Sequence, residues 1–75
     1  MTMAERPRKH SLTLQGHRTS VTLEAPFWAE FCRIAKARGQ SVNALATELD
    51  ALRTPPASLA SAIRLFVLAE VKAGR

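Results

Sequence analysis

Arg18, Ser20 and Thr22 occupy alternate positions in the run Arg18-Thr19-Ser20-Val21-Thr22-Leu23. Side chains along an extended strand alternate in direction, so these three share one face while Val21 and Leu23 share the other. An arginine can donate two hydrogen bonds to O6 and N7 of guanine, and a serine or threonine hydroxyl can donate to or accept from any base edge. The chemistry on offer is the recognition of an array of polar groups through a face of hydroxyls and one guanidinium.

Bond-making chemistry has no comparable set of residues. His10 and His17 stand apart from any serine or cysteine in a nucleophilic motif, and His17 beside Arg18 reads as an exposed residue. Cys32, the single cysteine, falls on the apolar side of a predicted helix and reads as a small core residue. One cysteine excludes an intrachain disulfide and a cysteine-based zinc site. Glu48 and Asp50 are two positions apart and point away from each other on a helix. There is no phosphate loop and no helical histidine pair. The expectation is a binding protein that is not an enzyme and uses no metal or cofactor.

Charge points to the kind of partner. The chain of 75 residues has a formal net charge of +5. The excess sits at the ends. Residues 1–18 carry Arg6, Arg8, Lys9 and Arg18 against Glu5, and residues 51–75 carry Arg53, Arg64, Lys72 and Arg75 against Glu70, while the middle of the chain is slightly acidic. A basic arm over residues 1–9, with Pro7 among Arg6, Arg8 and Lys9, is expected to be flexible and to touch the phosphates of a polyanion. The first fifteen residues lack the continuous apolar stretch of a secretory signal. The most apolar window, Ile63 to Val71, is about half the ~20 residues a membrane span needs. The chain therefore reads as cytoplasmic, with no membrane partner.

The elements that would position the polar face follow from punctuation and period. Residues 10–75 read as one small domain, mainly α with a short β-ribbon. The strand at 18–23 is followed by a change of period at Pro26, a residue suited to the first turn of a helix. Phe27, Trp28, Phe31, Cys32, Ile34 and Ala35 then form an apolar arc. Gly39 ends this helix, predicted over 26–38, as a left-handed cap. Ser41 caps a second helix over 41–53, with Val42, Leu45, Ala46, Leu49 and Leu52 as its buried stripe. Thr54-Pro55-Pro56 breaks it, and Ser58 opens a third helix over 58–73. Its face of Leu59, Ile63, Phe66 and Val67 is widened by Leu65 and Leu68, which suggests burial in an interface. A further strand is possible at 10–14, where Leu12 and Leu14 alternate with Ser11 and Thr13 before the break at Gln15-Gly16-His17.

A lone strand leaves its backbone N–H and C=O groups unpaired, and a second copy of the chain is the economical partner. The free amides at the start of the second helix, around Gly39, Ser41, Val42 and Asn43, are a natural seat for a phosphate. One element would thus meet bases and another would fix the register.

In this order and spacing, the Arg18–Leu23 strand, the helix through Ala35 to Arg38-Gly39, and Ser41-Val42-Asn43-Ala44-Leu45 resemble the ribbon-helix-helix family of Arc/MetJ-like DNA-binding proteins. The similarity covers residues 18–50. It implies an intertwined homodimer, often paired into a dimer of dimers, that inserts a two-stranded ribbon into the major groove of double-stranded DNA. By that resemblance Arg18, Ser20 and Thr22 correspond to base-contacting residues, and Gly39, Ser41, Val42 and Asn43 to the phosphate anchor. The function implied is sequence-specific transcriptional regulation, with repression by steric occupancy.

Three features lie outside the family pattern. Glu24 places a carboxylate near the reading strand, the third helix extends the minimal fold, and a strand at 10–14 would widen the ribbon. They support an alternative in which the same scaffold is a dimerisation or protein-interaction module. That version would hold a protein partner through the C-terminal helix, as an antitoxin does.

Overall fold

The computed structural model describes residues 6–74. Two strands are followed by three helices: β1 (Arg8–Leu14), β2 (His17–Leu23), α1 (Ala25–Ala37), α2 (Val42–Leu52) and α3 (Leu59–Lys72). The fold class expected from the sequence, a short ribbon followed by two helices and an additional C-terminal helix, is the one observed.

The further strand that the sequence left open is present. β2 pairs antiparallel with β1 of the same chain, in a register that sets Leu14 opposite His17 and Arg8 opposite Leu23. Only Gln15 and Gly16 lie between the strands, with φ of 51° and 83°. Two consecutive positive φ values mark the tight turn whose twist matches that of a two-residue hairpin, and glycine adopts such a φ without a Cβ penalty. His17 therefore belongs to β2, where the sequence reading had it interrupting the strands. Arg8 and Lys9 also belong to a strand, so the expected basic arm over 1–9 does not reach that far. Arg6 and Pro7 precede β1, and residues 1–5 of that arm lie outside the described residues.

The helices begin and end where local chemistry dictates. Pro26 occupies the first turn of α1. At its end Gln40 N–H donates to Ala35 O and Gly39 N–H to Lys36 O, the paired closure that requires the left-handed backbone of Gly39, φ 70°. The Ser41 hydroxyl accepts from Ala44 N–H at 3.0 Å and caps α2; the Ser58 hydroxyl accepts from Ser61 N–H at 3.1 Å and caps α3.

Every element contributes to one core. Leu12 from β1, Val21 and Leu23 from β2, Phe31, Ile34 and Ala35 from α1, Leu45 and Ala46 from α2, and Ile63 and Val67 from α3 are all buried. Phe31 lies at the centre, edge-on to Phe66 with ring centroids 6.4 Å apart. The two strands turn Leu12, Val21 and Leu23 onto the helices, each adding roughly 1.5–3 kcal/mol by leaving water. The ring of His10 stacks on Trp28 at 4.0 Å, which pins β1 to α1.

Two side chains depart from their expected burial. Cys32 is only half-buried at the margin of the α1 arc, and the partial burial pushes its thiol above the ordinary value. Leu52, the last residue of α2, is 77% exposed, because the end of the helix runs past the core. Leu65 and Leu68, expected to be covered in an interface, lie with Val71 on the outer side of α3, 67%, 51% and 49% exposed in the single chain.

Candidate nucleic-acid interface

The antiparallel register turns two alternations into one surface. Facing pairs in an antiparallel ladder are alternately hydrogen-bonded and not. The N–H of Thr13 donates to Asn43 Oδ1 at 3.0 Å, so Thr13 points its backbone away from β2 and belongs to a non-bonded pair. The same then holds for every second pair: Thr13 with Arg18, Ser11 with Ser20, and Lys9 with Thr22. Side chains in such pairs stand close, with Cα atoms about 4.5 Å apart. All six residues are exposed. They form a face of four hydroxyls, with one cation at each of two opposite corners.

Arg18, Ser20 and Thr22 are therefore together on one solvent face, as their alternation required. Ser11 and Thr13 share it, and Lys9 leaves its expected place in an arm to join it. The signal for this was in the sequence, since Ser11 and Thr13 alternate with Leu12 and Leu14. What the sequence left open was the pairing that puts both strands' polar sides on the same surface.

The second group of expected site residues adjoins this face at one edge. Asn43, the second residue of α2, accepts the Thr13 N–H, and Thr13 stands directly across from Arg18. The start of α2 thus flanks β1, two side chains away from Arg18. Its four candidate residues do different things. Gly39 spends its N–H on Lys36 O, and the Ser41 hydroxyl is engaged by Ala44. The N–H groups of Val42 and Asn43 precede the first intrahelical acceptor, so by helix geometry they point out of the helix, toward the positive end of its dipole. Arg6 and Arg8 are exposed near the open end of the hairpin, beside Lys9.

The carboxylates nearby are held away from the face. Glu24 follows β2 directly, and both of its oxygens accept from Arg64 of α3, at 2.9 and 3.1 Å. Hydrogen bonding to the Arg64 guanidinium holds the Glu24 carboxyl below its usual value. Asp50 is paired with Arg53 and Glu30 with Arg33. Among the described residues neither Lys9 nor Arg18 has a carboxylate partner, so both cations are available to an anion. Among the described residues no cluster of histidine, cysteine or acidic side chains could hold a metal ion, and no helix is long and apolar enough to cross a membrane.

A polar ribbon backed by apolar residues, followed by two capped helices of which the second starts beside the ribbon, is also what comparison with known proteins finds. No curated protein and no solved structure matches the chain. The sequence profile of the Ribbon-helix-helix domain matches residues 7–71, which takes in β1 and nearly all of α3 as well as the segment between them. A match over this much of the chain, on a structure with the ribbon and helices in that order, means that the protein belongs to the ribbon-helix-helix family of DNA-binding regulators.

Proposed function

We propose that the protein is a sequence-specific transcriptional regulator of the cytoplasm that binds operator DNA as a homodimer or dimer of dimers and represses by occupying its site. The observation that carries this is the hairpin's outer face. Arg18, Ser20 and Thr22 project together into solvent, and the start of α2 is tied to the edge of the same hairpin through Thr13 and Asn43. Arg18 would donate to guanine, the two hydroxyls would make shorter contacts to neighbouring bases, and Val42 and Asn43 N–H groups would hold a backbone phosphate. Arg6 and Arg8 add attraction to the backbone that falls with salt. Leu65, Leu68 and Val71 supply apolar surface for association of two chains.

The test is a fluorescence titration with random duplex DNA at low and moderate salt, followed by selection of preferred sites from a randomised pool. Binding that weakens steeply with salt is expected, and Arg18→Ala should lower the ratio of specific to non-specific affinity. A ratio unchanged at fixed salt removes Arg18 from base reading.

One observation favours a second reading, the dimerisation or protein-interaction module. Pro26, Phe27, Val67, Leu68 and Val71 line an apolar groove between the start of α1 and the end of α3. If random duplex is not bound even at about 50 mM salt, where non-specific attraction is strong, DNA recognition fails and this groove becomes the functional surface.

A further inference from the structure

We infer that α3 extends the dimer interface of the ribbon, so that Leu65, Leu68 and Val71 of each chain pack against the second copy on the flank where β2 meets its partner strand. This rests on the homodimer reading and adds to it a helix that the minimal ribbon and two helices do not include.

Position is the first argument. The two edges of the hairpin have different neighbours. On the side of β1, Asn43 at the start of α2 holds the Thr13 N–H. On the side of β2, Arg18, Ser20 and Thr22 sit in the non-bonded pairs of the ladder, so their N–H and C=O groups point away from β1. These groups are the ones a second copy's strand would satisfy. α3 follows this flank. Its first residue, Leu59, lines one groove with Thr19, and Arg64 bonds Glu24, the residue after β2, at 2.9 and 3.1 Å. Its later turns pass Pro26 and Phe27 at the start of α1. A copy whose strand joins β2 therefore arrives beside α3.

Area and shape are the second argument. The backbone edge of a seven-residue strand is about 23 Å long and about 4.8 Å across, on the order of 100 Å². A stable, specific interface covers about 800 Å² of each partner. The strand contact needs apolar surface beside it, and α3 carries that surface. Leu65, Leu68 and Val71 recur every third residue, so they form one outer stripe. All three are exposed. Leu68 and Val71 also line the apolar groove against Phe27 and Val67, with a volume of about 200 Å³. One patch thus holds both a groove and, one turn away, the protruding Leu65. A two-fold contact requires this self-complementarity, because the same patch serves both subunits. Arg64 beside the stripe is already paired with Glu24, so covering the stripe does not bury its charge alone.

Sedimentation of the full chain, of Leu65→Lys, of Leu68→Lys and of Leu68→Met tests this. Each Lys substitution occurs twice in a two-fold dimer, so the dissociation constant should rise by at least about ten-fold. Leu68→Met conserves volume and should dimerise like the parent. Urea denaturation separates interface from fold, because a dimer's midpoint rises with protein concentration. The Lys variants should lose part of that rise. A stability loss equal at all concentrations would assign the leucine to the chain's own core and overturn the inference. Lys variants that dimerise as tightly as the parent place α3 outside the interface, and the inference is overturned while the homodimer stands. Variants that stay dimeric but lose a tetramer overturn it too, since the stripe then joins two dimers. If the unaltered chain is a monomer that binds duplex DNA as a monomer, the homodimer reading falls with it.

Discussion

Replacing Asn43 separates two roles that meet at the start of α2. Its Oδ1 accepts the Thr13 N–H at 3.0 Å, and its own N–H points out of the helix toward a prospective phosphate. Asn43→Ala removes the brace and leaves the backbone donor. The bond is exposed, so water replaces it, and the cost should lie near 0.5–1 kcal/mol, the low end for a hydrogen bond. Amide exchange at Thr13 should then quicken by about two- to five-fold, as local opening of that edge becomes easier. Asn43→Asp keeps an acceptor for Thr13 and puts a negative charge in the first turn of α2, where the dipole favours it by about 0.3–1 kcal/mol. Stability should hold or rise. DNA affinity should move the other way. A carboxylate about 4 Å from a phosphate is repelled by about 1 kcal/mol even in bulk water, which is a loss of at least about five-fold. The salt slope should shrink by about 0.9 if the phosphate contact is lost. Urea denaturation, exchange monitored by NMR and a salt-dependent titration read the three quantities. An Asn43→Asp chain that binds DNA as tightly as the parent would refute the phosphate seat. Unchanged Thr13 exchange in Asn43→Ala would refute the brace.

Two further outcomes test the frame beneath the interface. Leu12 is 3% exposed and carries β1 into the core, so Leu12→Ala should cost about 2–5 kcal/mol in urea denaturation; a loss under about 1 kcal/mol would mean that β1 is not packed as described. The Arg64 guanidinium lowers the carboxyl of Glu24 below its usual value of 4.5, so this pair stabilises the fold above the ordinary carboxylate range and stops doing so as pH falls through the lowered value. Arg64→Gln should therefore reduce stability at neutral pH and flatten its decline in acid, and an acid limb of unchanged slope would detach Glu24 from Arg64.

The helices were legible because their ends carry explicit signals. Pro26, Gly39, Ser41, Pro55 and Ser58 fix each boundary to within about a residue, through φ restriction, left-handed backbone or a hydroxyl cap. The polar face of β2 was legible for an equally local reason, since alternation needs only neighbouring residues. The pairing was harder, because it depends on how many residues the turn uses. A three-residue break at Gln15-Gly16-His17 leaves the register open, while a two-residue turn at Gln15-Gly16 aligns Leu14 with His17 and every pair beyond. Leu52 misled because period describes a helix alone. Where a helix runs past the core it was built for, an apolar residue in step with the others still meets water.

The two-residue turn at Gln15-Gly16 also changes the reaction order of folding. A ribbon built from strands of two chains forms by collision and is undone by dilution, since the stability of such a dimer depends on protomer concentration. Here the two strands are neighbours in one chain, and the loop that joins them is among the shortest a hairpin can have. Formation of this ribbon is unimolecular and on the microsecond scale typical of hairpins. Pairing of β1 with β2 therefore does not wait for a second chain, whereas occupancy of a site by the homodimer proposed above still depends on protomer concentration.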